Sequence, residues 1–214
     1  MLVGLAGIVV AAAVGFAVFE PVQVLPRVRV APGFGVVDQS GAAYTSEDGR
    51  GNVTVYAFAP TTCGDQCAAF HDTMRSVRRR VVAEVDLGGA GFRMITVALD
   101  TAEPAALAAA AAASGADGEV WRWVGADQQV LGDVVGSGFR VFFDASDPAA
   151  VAFDPVFVIV DGAGVVRGEY RYASLVAEAD RLTRHISLLG DELRHSTGAA
   201  SFLYEAAHVF MCYP

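Results

Sequence analysis

Two cysteines separated by three residues are the part of this chain best suited to chemistry. Cys63 and Cys67 end the stretch 53–67, VTVYAFAPTTCGDQC, in which an apolar run stops at Pro60 and a helical pattern follows. A cysteine at the start of a helix has its thiolate stabilised by free backbone N–H groups and by the helix dipole. The pair is therefore suited to metal binding or to thiol–disulfide exchange, and a structural disulfide is the alternative.

Two further groups of residues offer ligands that a soft metal ion would accept. Soft metal ions prefer thiolate and thioether ligands and also accept imidazole. His71 and Met74 follow Cys67 by four and seven residues, so the three share one face of the predicted helix. His208 and Cys212 form a second group near the end of the chain. Each group also has a purely structural interpretation, His71 as a helix-face histidine and the tail as a segment packed on the domain or on a membrane surface.

Composition favours one globular domain and excludes one class of partner. The chain has 214 residues and a formal net charge of −9, so no basic surface is available to neutralise phosphates, and nucleic acid is excluded as a partner. Three cysteines, two of them closely spaced, do not make the even framework of a small disulfide-rich secreted domain.

The first 32 residues predict an attachment to a membrane. Residues 1–19 contain no charged side chain and, at about 1.5 Å per residue, are long enough to cross most of a bilayer. They predict a transmembrane anchor, with a cleaved signal peptide and a buried core helix as the alternatives. Residues 20–32 contain three prolines and predict an extended stalk.

The elements that must position the cysteines alternate between strands and helices. Apolar periodicity predicts strands at 53–58, 92–99, 119–125, 157–160 and 165–170, with helices over 68–85, 103–114, 126–135 and 175–189. Another apolar run covers 139–143, and the last two strands form a hairpin around Asp161-Gly162. This order predicts an α/β sandwich around a mixed central sheet.

Several segments follow, in order, the motifs of one protein family. The segment 62–67, TCGDQC, is similar to T-x-C-P-D-x-C with Gly64 in the proline position, and Asp100 closes a strand as in V-D-P. The segment 121–143 is similar to a W-x-x-L-T-G motif and the helix and strand after it. In these features the chain resembles the Sco/SenC family over about residues 34–189. The resemblance implies a thioredoxin-like domain at 33–190, followed by a tail at 191–214.

The resemblance also implies a function, because members of this family are tethered to membranes and handle copper during assembly of cytochrome c oxidase. It implies copper, as Cu(I) or Cu(II), on Cys63 and Cys67. The implied partner is the copper-receiving subunit of a haem-copper oxidase or another respiratory membrane complex. The implied location is the cell membrane, with a single span and the domain outside the cytoplasm. Arg27 and Arg29 would place the domain in the cytoplasm by the positive-inside rule.

The sequence departs from the family at the third copper ligand. The family has a histidine just before the last hairpin, whereas residues 153–157 of this chain are FDPVF. His71, His208 or Cys212 would have to replace that histidine. Pro155 instead resembles the cis-proline that lies beside the reactive disulfide of thioredoxin-like oxidoreductases, which supports redox chemistry.

Three functions therefore stay open. The favoured one is a metallochaperone, in which Cys63 and Cys67 hold copper with a third ligand from an unusual position. The second is a thiol–disulfide oxidoreductase without copper, in which Cys63 attacks a target disulfide, Cys67 resolves the mixed disulfide and Pro155 orients the target chain. The third is an accessory subunit of a respiratory membrane complex that has kept the fold and lost the chemistry.

Overall fold

The computed structural model describes residues 22–62, 64–147, 150–171, 175–198 and 200–210, without the side chains of 65–66, 175–178 and 209–210. The predicted anchor at 1–19 lies outside these ranges, as do Cys63 and Cys212. Within the described ranges, no helix combines the length and the apolar composition that a membrane crossing requires.

Strands and helices alternate along the described chain, as the sequence predicts. The strands are β1 (Arg29–Val30), β2 (Gly35–Asp38), β3 (Ala43–Thr45), β4 (Asn52–Ala59), β5 (Gly91–Ala98), β6 (Trp121–Gly125), β7 (Phe143–Asp144), β8 (Ala152–Phe153), β9 (Val156–Val160) and β10 (Val165–Arg171). The helices are α1 (Gly64–Glu84), α2 (Pro104–Ser114), α3 (Gln128–Leu131), α4 (Leu175–Arg194) and α5 (Ser201–Phe210).

Eight of these strands form one mixed sheet in the order β1-β10-β9-β4-β5-β6-β2-β3. The strands β4, β5 and β6 are parallel, and β9 is antiparallel to β4. Parallel neighbours require a crossover, which α1 supplies between β4 and β5 and α2 between β5 and β6. The predicted α/β architecture around a mixed sheet is confirmed.

The strand β4 carries the centre of the sheet because both of its faces are covered. Its last seven residues are all buried. Side chains alternate along a strand, so Val55 and Ala57 enter one core while Tyr56 and Phe58 enter the other. Helices cover the first core, to which α1 contributes Met74. The strand β3 and the residues after α3 cover the second core. This accounts for the continuous apolar sequence of β4.

The segment after β6 differs from its prediction. Asp127 caps α3 by accepting a hydrogen bond from the Val130 N–H at 2.9 Å. The helix then continues as a π-helical stretch, Gly132–Phe139, which takes in the start of the apolar run. Of that run only Phe143 lies in a strand, β7, which pairs with β8 outside the main sheet.

The residues predicted as a stalk are extended but lie against the domain. Val24 and Leu25 are fully buried, and β1 pairs with β10 at the edge of the sheet. Arg167, whose side chain is 3% exposed, donates hydrogen bonds to the Leu25 carbonyl at 2.8 Å and the Pro26 carbonyl at 3.2 Å. A buried guanidinium thus holds this entering segment in place.

The same guanidinium is linked to the helix α5 through Glu192. Arg167 pairs with Asp161 at 3.0 Å and with Glu192 of α4 at 2.6 Å, and Glu192 contacts His208 of α5 at 3.0 Å. Burial by itself would raise the pKa of Glu192, but hydrogen bonding to Arg167 and its charge outweigh burial and lower it. Within the predicted tail, residues 201–210 form the helix α5, and this network joins that helix to the domain.

We expect Arg167→Met to lower the free energy of unfolding by about 3–5 kcal/mol, because it removes the buried cation nearest to two largely buried carboxylates, those of Asp161 and Glu192. The matched control is Arg171→Met. Arg171 pairs with Asp154 at 2.8 Å, but both side chains are about half exposed, so its loss should cost no more than about 1 kcal/mol. Urea denaturation of both variants measures the difference. Equal losses would show that burial of the Arg167 network contributes nothing.

Candidate metal and thiol site

Cys67 lies at the carboxyl end of the central strand, in the first turn of α1. Its side chain is buried, at 8% exposure, and it is disulfide-bonded. Its sulfur lies 3.9 Å from the carbonyl oxygen of Pro60, the residue that follows β4. A disulfide sulfur has no proton to donate, so this is a van der Waals contact. The strand-to-helix junction predicted from the sequence is therefore present, while Cys63 itself lies outside the described residues.

Gly64 explains one departure from the family motif. It is the first residue of α1 and has φ +53°, in the left-handed region. The proline ring holds φ near −65°, so proline cannot adopt this conformation. Glycine adopts it without a steric penalty, because it has no Cβ. The turn between the two cysteines therefore differs from one built around proline.

Thr61 and Asp100 make a polar contact beside the cysteine turn. The Thr61 N–H lies 3.0 Å from both carboxylate oxygens of Asp100, and the Thr61 hydroxyl donates to that carboxylate at 2.7 Å. The sequence indicated only that Asp100 ends a strand, and nothing indicated Thr61. The signal that was available is positional, because β4 and β5 are parallel neighbours and the residues after them meet at one edge of the sheet.

His71 lies one helical turn after Cys67 and faces the interior. Its ring is 7% exposed and packs edge-on against Trp121 and Trp123, with centroid distances of 6.4 and 5.9 Å. Its Nε2 atom is buried and has no hydrogen-bond partner among the described residues. Burial, followed by the charge of Arg75, lowers the pKa of His71, which keeps the imidazole neutral at pH 7. Neutral imidazole is the form that binds metals.

The structure does not bring His208 to Cys67. His208 Nε2 lies 3.0 Å from Glu192, in the network of Arg167 and Asp161. Thr54 pairs with Val160, so Asp161 lies beside the start of β4, whereas Cys67 lies beyond its end. Asp161 is level with Val53, and the seven steps from Val53 to Pro60, which Cys67 contacts, span about 23 Å. Cys212 lies outside the described residues.

Pro155 lies at the same end of the sheet as Cys67, but its predicted cis peptide is wrong. Phe157 pairs with Ala57 in the antiparallel ladder, so Pro155 lies level with Ala59. Every peptide bond in the described residues is trans. The N–H of the preceding Asp154 donates a hydrogen bond to the Phe142 carbonyl at 3.0 Å, and its carboxylate forms an ion pair with Arg171. Both contacts hold the residue that precedes the trans peptide.

His185 is another histidine that the fold buries. It is 2% exposed, and its Nδ1 lies 2.7 Å from the Tyr170 hydroxyl. Burial lowers the pKa of His185 to about 4. His185 lies on α4, and the apolar pattern of that helix could have predicted the burial of His185, since Leu182 and Leu189 are buried on the same helix.

Among the described residues, no three histidine, cysteine or acidic side chains are close enough to hold a metal.

Comparison with known proteins decides the family. The model of the SCO1/SenC family matches residues 23–189, which is more than three quarters of the chain. The chain belongs to the SCO1/SenC family. No similar sequence is found among curated proteins.

Solved structures of Sco proteins share the fold at low sequence identity. A SCO1/SenC family lipoprotein from Bacillus anthracis is 18% identical with a TM-score of 0.62, over 73% of this chain and 94% of that one. BsSco, described as a member of the Sco family of cytochrome c oxidase assembly proteins with a disulfide switch, is 19% identical with a TM-score of 0.62, over 76% and 96%. Yeast Sco1 with copper bound is 15% identical with a TM-score of 0.62, over 82% and 98%. The thioredoxin-like fold expected from the resemblance is confirmed.

We expect Gly64→Ala to lower the free energy of unfolding by about 1–2 kcal/mol, because a Cβ makes the left-handed conformation costly. No atom lies within 4 Å of the added Cβ, so the cost is confined to the backbone. Gly132→Ala is the matched control, since Gly132 has helical angles and equally open space and should be neutral or slightly stabilising. Thermal and urea denaturation measure both. An unchanged Gly64→Ala variant would contradict the left-handed turn.

Proposed function

We propose that this chain is a Sco-type metallochaperone that carries Cu(I) for assembly of the copper site of cytochrome c oxidase. The observation that supports it best is the disulfide-bonded Cys67 in the first turn of α1, at the carboxyl end of β4. The similar yeast protein has been solved with copper bound, and BsSco is described as an oxidase assembly protein with a disulfide switch. In this proposal copper is the cargo, and Cys63 is the disulfide partner of Cys67.

The cysteine pair must be reduced before it can carry copper. A dithiol protein supplies two electrons and two protons, which convert the disulfide into two thiols. Binding of Cu(I) then releases the two thiol protons, because thiolate is the ligand. The helix N-terminus favours these thiolates through its free N–H groups and its dipole. Two sulfurs four residues apart suit Cu(I), which accepts a low coordination number.

His71 is the third ligand that we propose in place of the family histidine. It follows Cys67 by one helical turn, its imidazole is neutral at pH 7, and its buried Nε2 has no other partner among the described residues. His208 is the weaker candidate, because Glu192 contacts it at the opposite end of β4. Residues 150–156, near the family's ligand position, contain no histidine.

A thiol–disulfide oxidoreductase without copper is the second candidate function. It is favoured by the missing histidine together with the oxidised state of Cys67. In this function Cys63 attacks a disulfide of the copper-receiving protein and Cys67 resolves the mixed disulfide, so the target gains two thiols while this chain regains its disulfide. Pro155, level with Ala59 at the same end of the sheet, would then contact the target chain through a trans peptide.

The proposed location is the outer face of the cell membrane, with residues 1–19 as the anchor. The apolar, uncharged sequence of that segment supports it. The similar protein from Bacillus anthracis is described as a lipoprotein, which is also a membrane-attached form. The segment from residue 22 onward packs on the domain, so a membrane anchor would hold the domain close to the bilayer.

Anaerobic competition with a chromogenic Cu(I) chelator tests the ligand set. The reduced full-length chain should bind one Cu(I), and Cys63→Ser or Cys67→Ser should abolish binding. His71→Gln should weaken it by about 10- to 100-fold, and His71→Met should restore part of it, since a thioether also binds Cu(I). His208→Gln is the matched histidine control and should leave the affinity unchanged.

Other outcomes of the same experiment separate the alternatives. A wild-type chain that takes up no Cu(I) but exchanges readily with glutathione and thioredoxin would replace the metallochaperone by the oxidoreductase. A disulfide that resists both reductants would leave the accessory-subunit function. A loss of affinity in His208→Gln and not in His71→Gln would move the third ligand to the tail.

A further inference from the structure

One polar contact links the cysteine turn to the neighbouring strand. Thr61, two residues before Cys63, directs both of its donors at the Asp100 carboxylate, with the N–H at 3.0 Å and the hydroxyl at 2.7 Å. Hydrogen bonds to a charged acceptor are among the stronger ones in proteins. The peptide that enters the turn is therefore held from one side by a carboxylate that lies 39 residues further along the chain.

Contacts of the neighbouring residues Leu99 and Thr101 hold the backbone on both sides of Asp100. The preceding Leu99 donates its N–H to the Ala59 carbonyl at 3.2 Å, and its carbonyl accepts a hydrogen bond from Gln128 at 3.1 Å. On the other side, the Thr101 carbonyl lies so close to Gly125 that a Cβ there would approach its oxygen to 2.2 Å. The ends of β4, β5 and β6 thus hold Asp100 in one place.

We propose that Asp100 is a positioning residue for the cysteine pair, acting through Thr61. Cys67 contacts the carbonyl of Pro60, and Thr61 N is the other end of that peptide group. Fixing this peptide fixes the surface on which the Cys67 sulfur rests and the start of the segment that leads to Cys63. The latch, defined as Thr61 and Asp100, therefore holds the Pro60–Thr61 peptide in the position that it has beside the disulfide-bonded Cys67.

The consequence is a disulfide that is harder to reduce than it would be on a free turn. In the exchange, two glutathione thiols supply two electrons and two protons, and the products are the protein dithiol and one glutathione disulfide. A turn held in the closed conformation raises the effective concentration of one thiol at the other, which favours the oxidised form. The inference rests on the proposed pairing of Cys63 with Cys67 but not on copper binding.

Equilibration of the full-length chain in detergent with glutathione redox buffers tests the latch. We expect Asp100→Ala to shift the exchange constant toward the dithiol by about tenfold, which corresponds to about 30 mV. Thr61→Val should shift it by about threefold, because the N–H contact remains, and Thr61→Ser should restore the wild-type value. Asp100→Asn keeps one carbonyl acceptor but loses the charge, so its shift should fall between those of the wild type and Asp100→Ala.

Asp117→Ala is the control for a general loss of stability. The Asp117 carboxylate also accepts three hydrogen bonds, from the N–H groups of Glu119, Val120 and Trp121 at 3.0–3.1 Å, but it lies before β6 and away from the cysteine turn. Its loss should lower the free energy of unfolding and leave the exchange constant unchanged.

Three results would overturn the proposal. One is an unchanged exchange constant in a folded Asp100→Ala variant, and another is an equal shift in Asp117→Ala. The third is an Asp100→Asn variant that matches Asp100→Ala, which would assign the effect to charge and not to position. A failure of Cu(I) binding would leave this result intact, so the two proposals fail separately.

Discussion

The pairing of β4 on both edges is the constraint on which the rest of the structure depends. The strand β4 is hydrogen-bonded to β5 on one side and to β9 on the other, and seven of its eight residues are buried. A strand held in this way ends at a defined place, and the turn with Cys67 begins there. In the proposed function, the chemistry of the chain thus lies where a rigid strand ends and a helix begins.

The edge of the sheet at the end of β4 brings together groups from distant parts of the chain. Thr61 follows β4, Asp100 follows β5 and Pro155 precedes β9. In a sheet with parallel central strands, the carboxyl ends form one edge, where ligands and reactive groups commonly lie. The opposite end of the central strands carries the buried charges around Arg167, which join the two ends of the described chain to the domain. The proposed chemistry and the buried ion pairs therefore lie at opposite ends of the central strands.

The site differs from that of its family in two related ways. The family histidine near Pro155 is missing, and glycine with φ +53° stands where the motif has proline. His71, neutral and buried with an unpartnered Nε2 among the described residues, offers an imidazole from the helix instead of from the hairpin. In the proposed function, both differences would affect how the cysteine pair holds copper.

By itself, the sequence determined the order of strands and helices, the cysteine turn and the absence of the family histidine. These features depend on periodicity and residue type within short segments, which act through local backbone preferences and burial. The cis state of Pro155 was predicted wrongly, because the isomer of a proline peptide depends on its packing. Only the tertiary structure decided which distant side chains meet. His71 faces Trp121 and Trp123, His208 faces Glu192, and Thr61 meets Asp100, because sheet register and helix packing bring together residues that the sequence keeps apart.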